Sequence, residues 1–354
     1  NVAYGFEGSF KSLGTFDFVS GSFTAKSGGA HAQYGNRFRG TWLGQLPVPL
    51  PENYVLGIDF QKCDFERKWP SYLRGEWRKG GWWYYYLYAV LVKVPLGVWM
   101  LALLAIGLSI CEPRVRLGWK DEIFLLVPAV VVFALASSQT GFNHHSRYVL
   151  PAFPYVFIWI SRSSGVWRLR SRLLKALFAL ALCWFVASSL HVYPHSMAYF
   201  NELAGGPTRG HEHLLDSNIE WGQDLLFLRG WCDRHPNARP LYIAHYGLLD
   251  PKIAGIPSSG LPPSWPRRGE TDASMEPRSR WDPRPGWYAL GVTFLHADDH
   301  PDRGTVATSW APYCGHFLLR KPTAMAGYSI YIYHITLDEA NRVRRELGLP
   351  EVLP

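Results

Sequence analysis

The sequence predicts an α-helical integral membrane protein with four transmembrane helices, followed by an extracytoplasmic α/β domain. Three observations predict it. Four apolar stretches fall within residues 83–193. The two linkers that must share one side of a membrane are both basic. Cys111–Glu122 carries Arg114, Arg116 and Lys120, and Arg162–Lys175 carries Arg162, Arg168, Arg170, Arg172 and Lys175 without an acid. After Pro194 the composition turns to that of a small globular domain. Lys and Arg gather in short cytoplasmic loops, so both basic linkers are expected inside. Residues 1–81, the Ser138–Arg147 loop and residues 194–354 are then expected outside.

Residues 1–81 read as an irregular extracytoplasmic region punctuated by Gly, Ser and Pro, with Leu46–Pro51 extended. The first span, about 84–110, follows Trp82 and Trp83 and starts with Tyr84, Tyr85 and Tyr86, rings that favour the membrane interface. Pro95 marks a break between an interfacial helix and the span proper. The second span is about 122–138. The third, about 147–161, contains Pro151 and Pro154, which are tolerated where neighbouring helices cover the freed backbone groups. The fourth is about 173–193.

Beyond Pro194, Trp221, Leu225, Leu228 and Cys232 form the stripe of an amphipathic helix. Residues 241–246, 287–294 and 328–335 read as strands, and 258–285, rich in Pro, Ser and Arg, as a long surface loop. Thr336 and Glu339 form a capping box ahead of Leu337, Ala340, Val343 and Leu347. Gly348 and Pro350 stop that helix.

The formal net charge is +8. Much of the excess sits beside apolar segments, so the positive-inside pattern accounts for it and no nucleic-acid partner is expected. The five cysteines show no metal-binding spacing. Cys63, Cys232 and Cys314 are expected outside, where a Cys232–Cys314 bridge and three free thiols both remain open. The chain opens on Asn1 without a signal-peptide pattern. It is therefore expected to be the C-terminal part of a longer membrane protein.

Four constellations carry candidate chemistry. Asn143-His144-His145-Ser146-Arg147-Tyr148 stands at the outer mouth of the third span. A guanidinium there is costly unless paired, and its planar fork suits a phosphate. If the stretch is helical, Asn143, His144 and Arg147 share a face. Lys93 lies in an otherwise apolar run and faces either an anion or the interface. Asp216, Asn218 and Glu220 have the alternate spacing of a calcium loop, but Trp221 and Phe227 occupy its glycine and final acid positions, which excludes an EF-hand. Helix capping by Ser217 or Asn218 is the simpler expectation for this segment. His211 and His213, after Asn201–Pro207, offer two zinc ligands without a third or fourth, so no metal site is expected. There is no P-loop, GxSxG or HExxH pattern.

The Tyr-rich opening and Lys93-Val94-Pro95-Leu96 resemble the C-terminal half of glycosyltransferase family 39. That family comprises the dolichyl-phosphate-mannose protein mannosyltransferases and bacterial aminoarabinose transferase-like enzymes. Arg147-Tyr148-Val149-Leu150-Pro151 resembles it too, as does the segment from Tyr199-Phe200-Asn201-Glu202 to Asp216-Ser217-Asn218-Ile219-Glu220-Trp221-Gly222-Gln223-Asp224. The resemblance covers roughly Asn1–Asp224. It implies an inverting transfer of a sugar from a polyprenyl-phosphate donor to a protein or lipid acceptor, on the outer face of a bacterial cell membrane. It further implies that Arg147 and Tyr148, with Lys93 and His144, contact the lipid-linked phosphate. The family's catalytic acid would lie upstream of Asn1, so a chain limited to these residues is expected to lack full activity. No cofactor is implied, and a divalent-metal requirement is not readable. A transporter or flippase of lipid-linked sugars, and a membrane-anchored extracytoplasmic carbohydrate-binding domain, stand as alternatives.

Overall fold

The computed structural model describes residues 1–24, 34–113, 115–116, 118–247, 249–260, 262, 282–296, 317, 320–346 and 348–353. They divide into two compact units: residues 1–71, 78–83 and 136–143 form the smaller, and residues 72–77, 84–135 and 144–354 the larger.

The smaller unit is more ordered than an irregular region. Phe16 stacks on Phe18, and Phe23 packs at a tilt on Phe18, to form a small aromatic core. A helical turn, α1 (Gly21–Thr24), is followed by α2 (Glu52–Glu66). The carboxylates of α2 serve the backbone before and within α1: Asp59 accepts from the Val19 and Ser20 N–H groups at 2.6 and 3.1 Å, and Glu66 from Gly21 and Ser22. Helix α2 escapes sequence reading because it has almost no amphipathic stripe, with Ile58 and Phe60 exposed. Pro51 at its N-terminal flank is extended, as expected of the Leu46–Pro51 run.

Strands β1 (Pro70–Leu73) and β2 (Glu76–Lys79) form a hairpin. Its two-residue turn places Arg74 and Gly75 both at positive φ, the geometry that matches strand twist.

In the larger unit, the first apolar segment is two helices rather than one. Helix α3 (Tyr85–Lys93) and α4 (Leu96–Cys111) meet at 106° across Val94 and Pro95. Pro95 lacks an N–H and disfavours helix at Val94, so the break falls where the proline predicts. The carbonyls freed at the break are not left bare. Asn201 Nδ2 donates to the Leu91 and Val94 carbonyls at 2.7 and 3.0 Å, and its backbone N–H to Val92.

Helix α5 (Trp119–Ser138) and α7 (Arg172–Val192) are each long and apolar enough to cross a membrane, and the bent α3–α4 pair makes a third crossing if it acts as one span. Helix length and composition do not establish a fourth. The third expected span is α-helical only over α6 (Phe153–Ile160), between 3₁₀ stretches at Ser146–Ala152 and Ser161–Arg168. Eight residues rise about 12 Å, against about 30 Å of hydrocarbon. Pro151 and Pro154 account for this by removing donors from the first turns. The backbones of α4 and α7 approach closely: a Cβ on Gly97 would lie 2.3 Å from the Ala181 carbonyl oxygen.

Arg162, expected among the basic residues of an acid-free cytoplasmic linker, is buried. Its Nη1 bonds Glu122 Oε1 of α5 at 2.5 Å and Ser109 of α4 at 2.8 Å, and its guanidinium lies 4.4 Å from the Trp159 ring.

The C-terminal part folds around a four-stranded sheet of order β3 (Leu241–Ala244), β4 (Gly286–Gly291), β6 (Ile330–Ile335), β5 (Ala324–Ala326). The β3–β4 pair is parallel (Leu241 opposite Trp287); the β4–β6 and β5–β6 pairs are antiparallel. Alternation decides the faces. Leu241, Ile243, Ala289, Ile330 and Ile332 pack with Leu225, Leu228, Trp231 and Cys232 of α8 (Leu225–Arg234). Ala244, Tyr288, Leu290, Tyr333 and Ile335 pack on the other face with Ala340 and Val343 of a C-terminal helix, α10 (Leu337–Glu346). Trp221, the first residue of the expected stripe, lies before α8 and is exposed. The strand expected at 287–294 ends at Gly291, where the turn α9 (Val292–Leu295) begins. The capping box forms as read: Thr336 N–H donates to Glu339 Oε2 at 3.0 Å and Glu339 N–H to Thr336 Oγ1 at 3.3 Å. Cys63 and Cys232 are free and buried, whereas Cys314 and much of the 258–285 loop lie outside the described residues.

Candidate functional site

Within the larger unit, the Asp216–Asp224 segment meets the His144–Tyr148 segment through side chains that sequence distance conceals. Asp216 adopts φ 64°, a conformation that Asp and Asn tolerate better than other side chains. This turns its carboxylate onto His144, whose Nδ1 lies 2.5 Å from Oδ2. Burial pushes the Asp216 carboxyl up, but bonds from His144, Tyr246 and the Ser217 N–H outweigh it and hold it below the usual carboxylate range. Beside this pair, Ser217 Oγ is hydrogen-bonded to His145 Nδ1. Burial lowers His145 to about 4, so its ring is neutral at pH 7.

Asn218 fastens three elements together. Its Oδ1 accepts from the Ser146 N–H at 3.1 Å, while Nδ2 lies 2.9 Å from the Tyr85 hydroxyl and 2.7 Å from the His144 carbonyl. Its own carbonyl receives the Lys93 ammonium, which also donates to Met197 O at 2.8 Å and stands 4.5 Å from the Phe200 ring centroid. Two of three ammonium donors are thereby used among the described residues.

The remaining acids of the segment bind backbone rather than capping α8. Glu220 accepts from the Thr293 N–H at 3.2 Å, and burial raises it to about 8. Asp224, fully buried, accepts from the Tyr328 and Ser329 N–H groups and the Ser329 hydroxyl at 2.8–3.0 Å. Both acids therefore hold the turns at the ends of β4 and β6, and the helix-capping expectation for this segment is corrected.

Two cavities adjoin this junction. The first, about 240 Å³, is apolar: Ala89, Val94, Val98, Val149, Phe153 and Phe185 contribute to its wall, together with Lys93 and Ser146. It opens past the exposed side chains of Leu150 and Phe157. The second, about 190 Å³, is lined by His145, Ser146, Arg147, Met197, Ser217 and Trp221. Ser146 lines both. An anionic head with an apolar tail is the chemistry such a pair of chambers accommodates.

The four expected site residues thus separate. Lys93 faces the apolar chamber and Arg147 the polar one. His144 is enclosed against Asp216 and lines neither. The Tyr148 ring packs on His145 at 5.6 Å, with the Arg147 guanidinium 5.8 Å above it. The shared helical face of Asn143, His144 and Arg147 does not form, because the 3₁₀ stretch begins only at Ser146. Asn143 instead belongs to the smaller unit, where its Oδ1 accepts from the Trp82 N–H at 2.7 Å.

His211 and His213 do not converge. His213 bonds the Tyr88 hydroxyl and the Ala204 carbonyl, whereas His211 stacks on His296 at 4.9 Å. No cluster of three or more metal-ligating side chains occurs among the described residues. Sequence reading did not single out Ser217, His145 or Trp221 as lining one chamber. Their only signal is membership of the two polar motifs, which are separated by about seventy residues of mostly apolar chain.

No family model, no curated protein and no solved structure matches this chain.

Proposed function

We propose that this chain is the membrane portion of an inverting glycosyltransferase that uses a polyprenyl-phosphate-linked sugar. One observation supports the reading above all: an apolar cavity and a cation-bearing polar cavity share the wall residue Ser146. In this reading the apolar chamber takes the first isoprene units, and the rest of the tail runs over Leu150 and Phe157 into lipid. The phosphate lies at the junction, where the Arg147 fork and the remaining Lys93 donor neutralise it as it leaves. The helical region crosses a bacterial cell membrane four times, with α3–α4 as one broken span and residues 146–168 as a short one. The cavities and the sheet domain face outward. The acceptor is a protein or a lipid. A flippase would place charges along several spans; here Lys93, Glu122 and Arg162 all sit near helix ends.

The test is label transfer from radiolabelled polyprenyl-phosphate sugars by membranes containing the protein. Transfer that disappears in Arg147→Ala is the expected result. Absence of transfer from every donor by folded protein, or full transfer in Arg147→Ala, overturns it.

A further inference from the structure

The polar chamber presents one aromatic face that phosphate binding leaves unused. Glu220 and Ile219, beside Trp221 in sequence, are buried, yet Trp221 is 46% exposed. It is nonetheless held in place. Its backbone N–H donates to Gln223 Oε1 at 2.7 Å, and its ring meets His145 edge-on at 6.1 Å and Tyr246 at 5.3 Å. A large aromatic ring that is fixed on two sides and open on a cavity is preorganised for a flat ligand. The chamber, at about 190 Å³, exceeds the roughly 150 Å³ that admits a benzene ring. It therefore has room for one six-membered ring.

The other lining groups define that ring's chemistry. Ser217 and His145 form a hydrogen-bonded hydroxyl–imidazole pair, in which the Ser217 hydroxyl also donates to the His144 carbonyl at 3.2 Å. A hydroxyl and a neutral imidazole each donate and accept, which suits hydroxyl groups better than a charged ligand. Arg147 is the one charged residue of this lining among the described residues, and its neighbour Ser146 also lines the apolar chamber. The two chambers together offer an apolar wall, a cation, a hydroxyl-binding pair and an aromatic platform. A lipid-linked sugar carries the matching parts: isoprenoid, phosphate, ring hydroxyls and the C–H face of the pyranose.

We infer that Trp221 is the platform for the sugar ring of the donor, with Ser217 and His145 reading its hydroxyls, so that this chamber distinguishes a glycosylated polyprenyl phosphate from the bare one. The inference rests on the lipid-phosphate reading above. It makes Trp221 a specificity-determining residue that acts on the saccharide and not on the phosphate.

The experiment compares two ligands on the full chain in nanodiscs: polyprenyl phosphate, and the same lipid carrying mannose, glucose or aminoarabinose. The wild type is expected to prefer at least one glycosylated lipid by about tenfold, equivalent to about 1.4 kcal/mol. Trp221→Ala should erase that preference while leaving the affinity for bare polyprenyl phosphate unchanged, which also reports that the variant is folded. Trp221→Phe should keep part of it, and Arg147→Ala should weaken both ligands together. Wild-type binding of bare lipid with no preference for any sugar, or a preference that survives in Trp221→Ala, overturns the platform and leaves the phosphate site standing. Equal losses for both lipids in Trp221→Ala and Trp221→Phe also overturn it. Binding of neither lipid by the wild type overturns both.

Discussion

Two acid–base pairs of the larger unit contrast, Glu122 with Arg162 and Asp216 with His144; the second adjoins the polar cavity. Around Arg162 the polar atoms turn inward. Glu122 accepts from both the guanidinium and the Trp159 indole, and Ser109 takes a further guanidinium donor. Around His144 the neighbouring residues turn outward, with His145, Ser146 and Arg147 lining open space and Ser217 facing them. A buried pair by itself marks a junction between elements and is weak evidence for stability or function. What separates a candidate site from a clamp is the set of polar groups beside the pair that the fold leaves facing a void.

The comparison breaks most visibly at the clamp. Glu122→Ala strands Arg162 among α4, α6 and α7, and about 3–5 kcal/mol should be lost. The measurement is a fall in Tm in detergent, with polyprenyl-phosphate affinity of the surviving folded fraction intact. An unchanged Tm would mean that water reaches the guanidinium. Next comes Asp216→Asn, which tolerates the positive φ but withdraws the charge from His144. A loss of about 2–3 kcal/mol is expected, typical of a hydrogen bond to a charged group. Here lipid affinity should fall as well, because the same turn aims Ser217 and Asn218. Equal loss of stability without loss of affinity would reduce this pair to a second clamp.

The third test is pH. His145 is held near 4 in the fold against 6.5 when exposed, so stability is full above 6.5 and declines as pH falls toward 4. Glu220 is held near 8 against 4.5, so its contribution is present below 4.5 and is lost as pH rises through 8. The two oppose each other, and Tm should be greatest between those limits. Glu220→Gln removes the alkaline decline and should shift the optimum upward in a Tm–pH series; an unmoved optimum would assign the decline to another group. The smallest effect lies far from both pairs. Thr336→Ala breaks the capping box, should cost about 1 kcal/mol, and should leave lipid binding unchanged.

How much of this was legible in the sequence differs along the chain. Where one residue type has one local meaning, reading worked: Pro95 at the helix break, the Thr336–Glu339 box, the β6 strand, and the helices over the second and fourth apolar stretches. Apolar content says less where helical length is short. The third stretch is hydrophobic enough for a span, but its prolines divide it into 3₁₀ and α segments. The site was legible only in halves. Arg147 and Lys93 stand out as charges in apolar surroundings, yet no periodicity could say that Asp216 reaches His144, that Asn201 covers the α3 carbonyls, or that Glu122 answers Arg162. Those contacts span tens of residues and are set by tertiary packing, to which local propensity is blind.

The shared wall at Ser146 has a consequence for how weak each half of the site can be. A molecule seated by its tail in one chamber presents its other end to the second chamber at an effective concentration set by a few bonds of linker, of millimolar order. A subsite with only millimolar affinity for free sugar would then be substantially filled whenever the tail is docked. Free saccharides in the surrounding medium, lacking the tether, would hardly compete. On the proposed reading, discrimination can thus be strong in a chamber whose intrinsic grip is slight, and release after the phosphate bond breaks needs no separate device, because breaking that bond severs the tether.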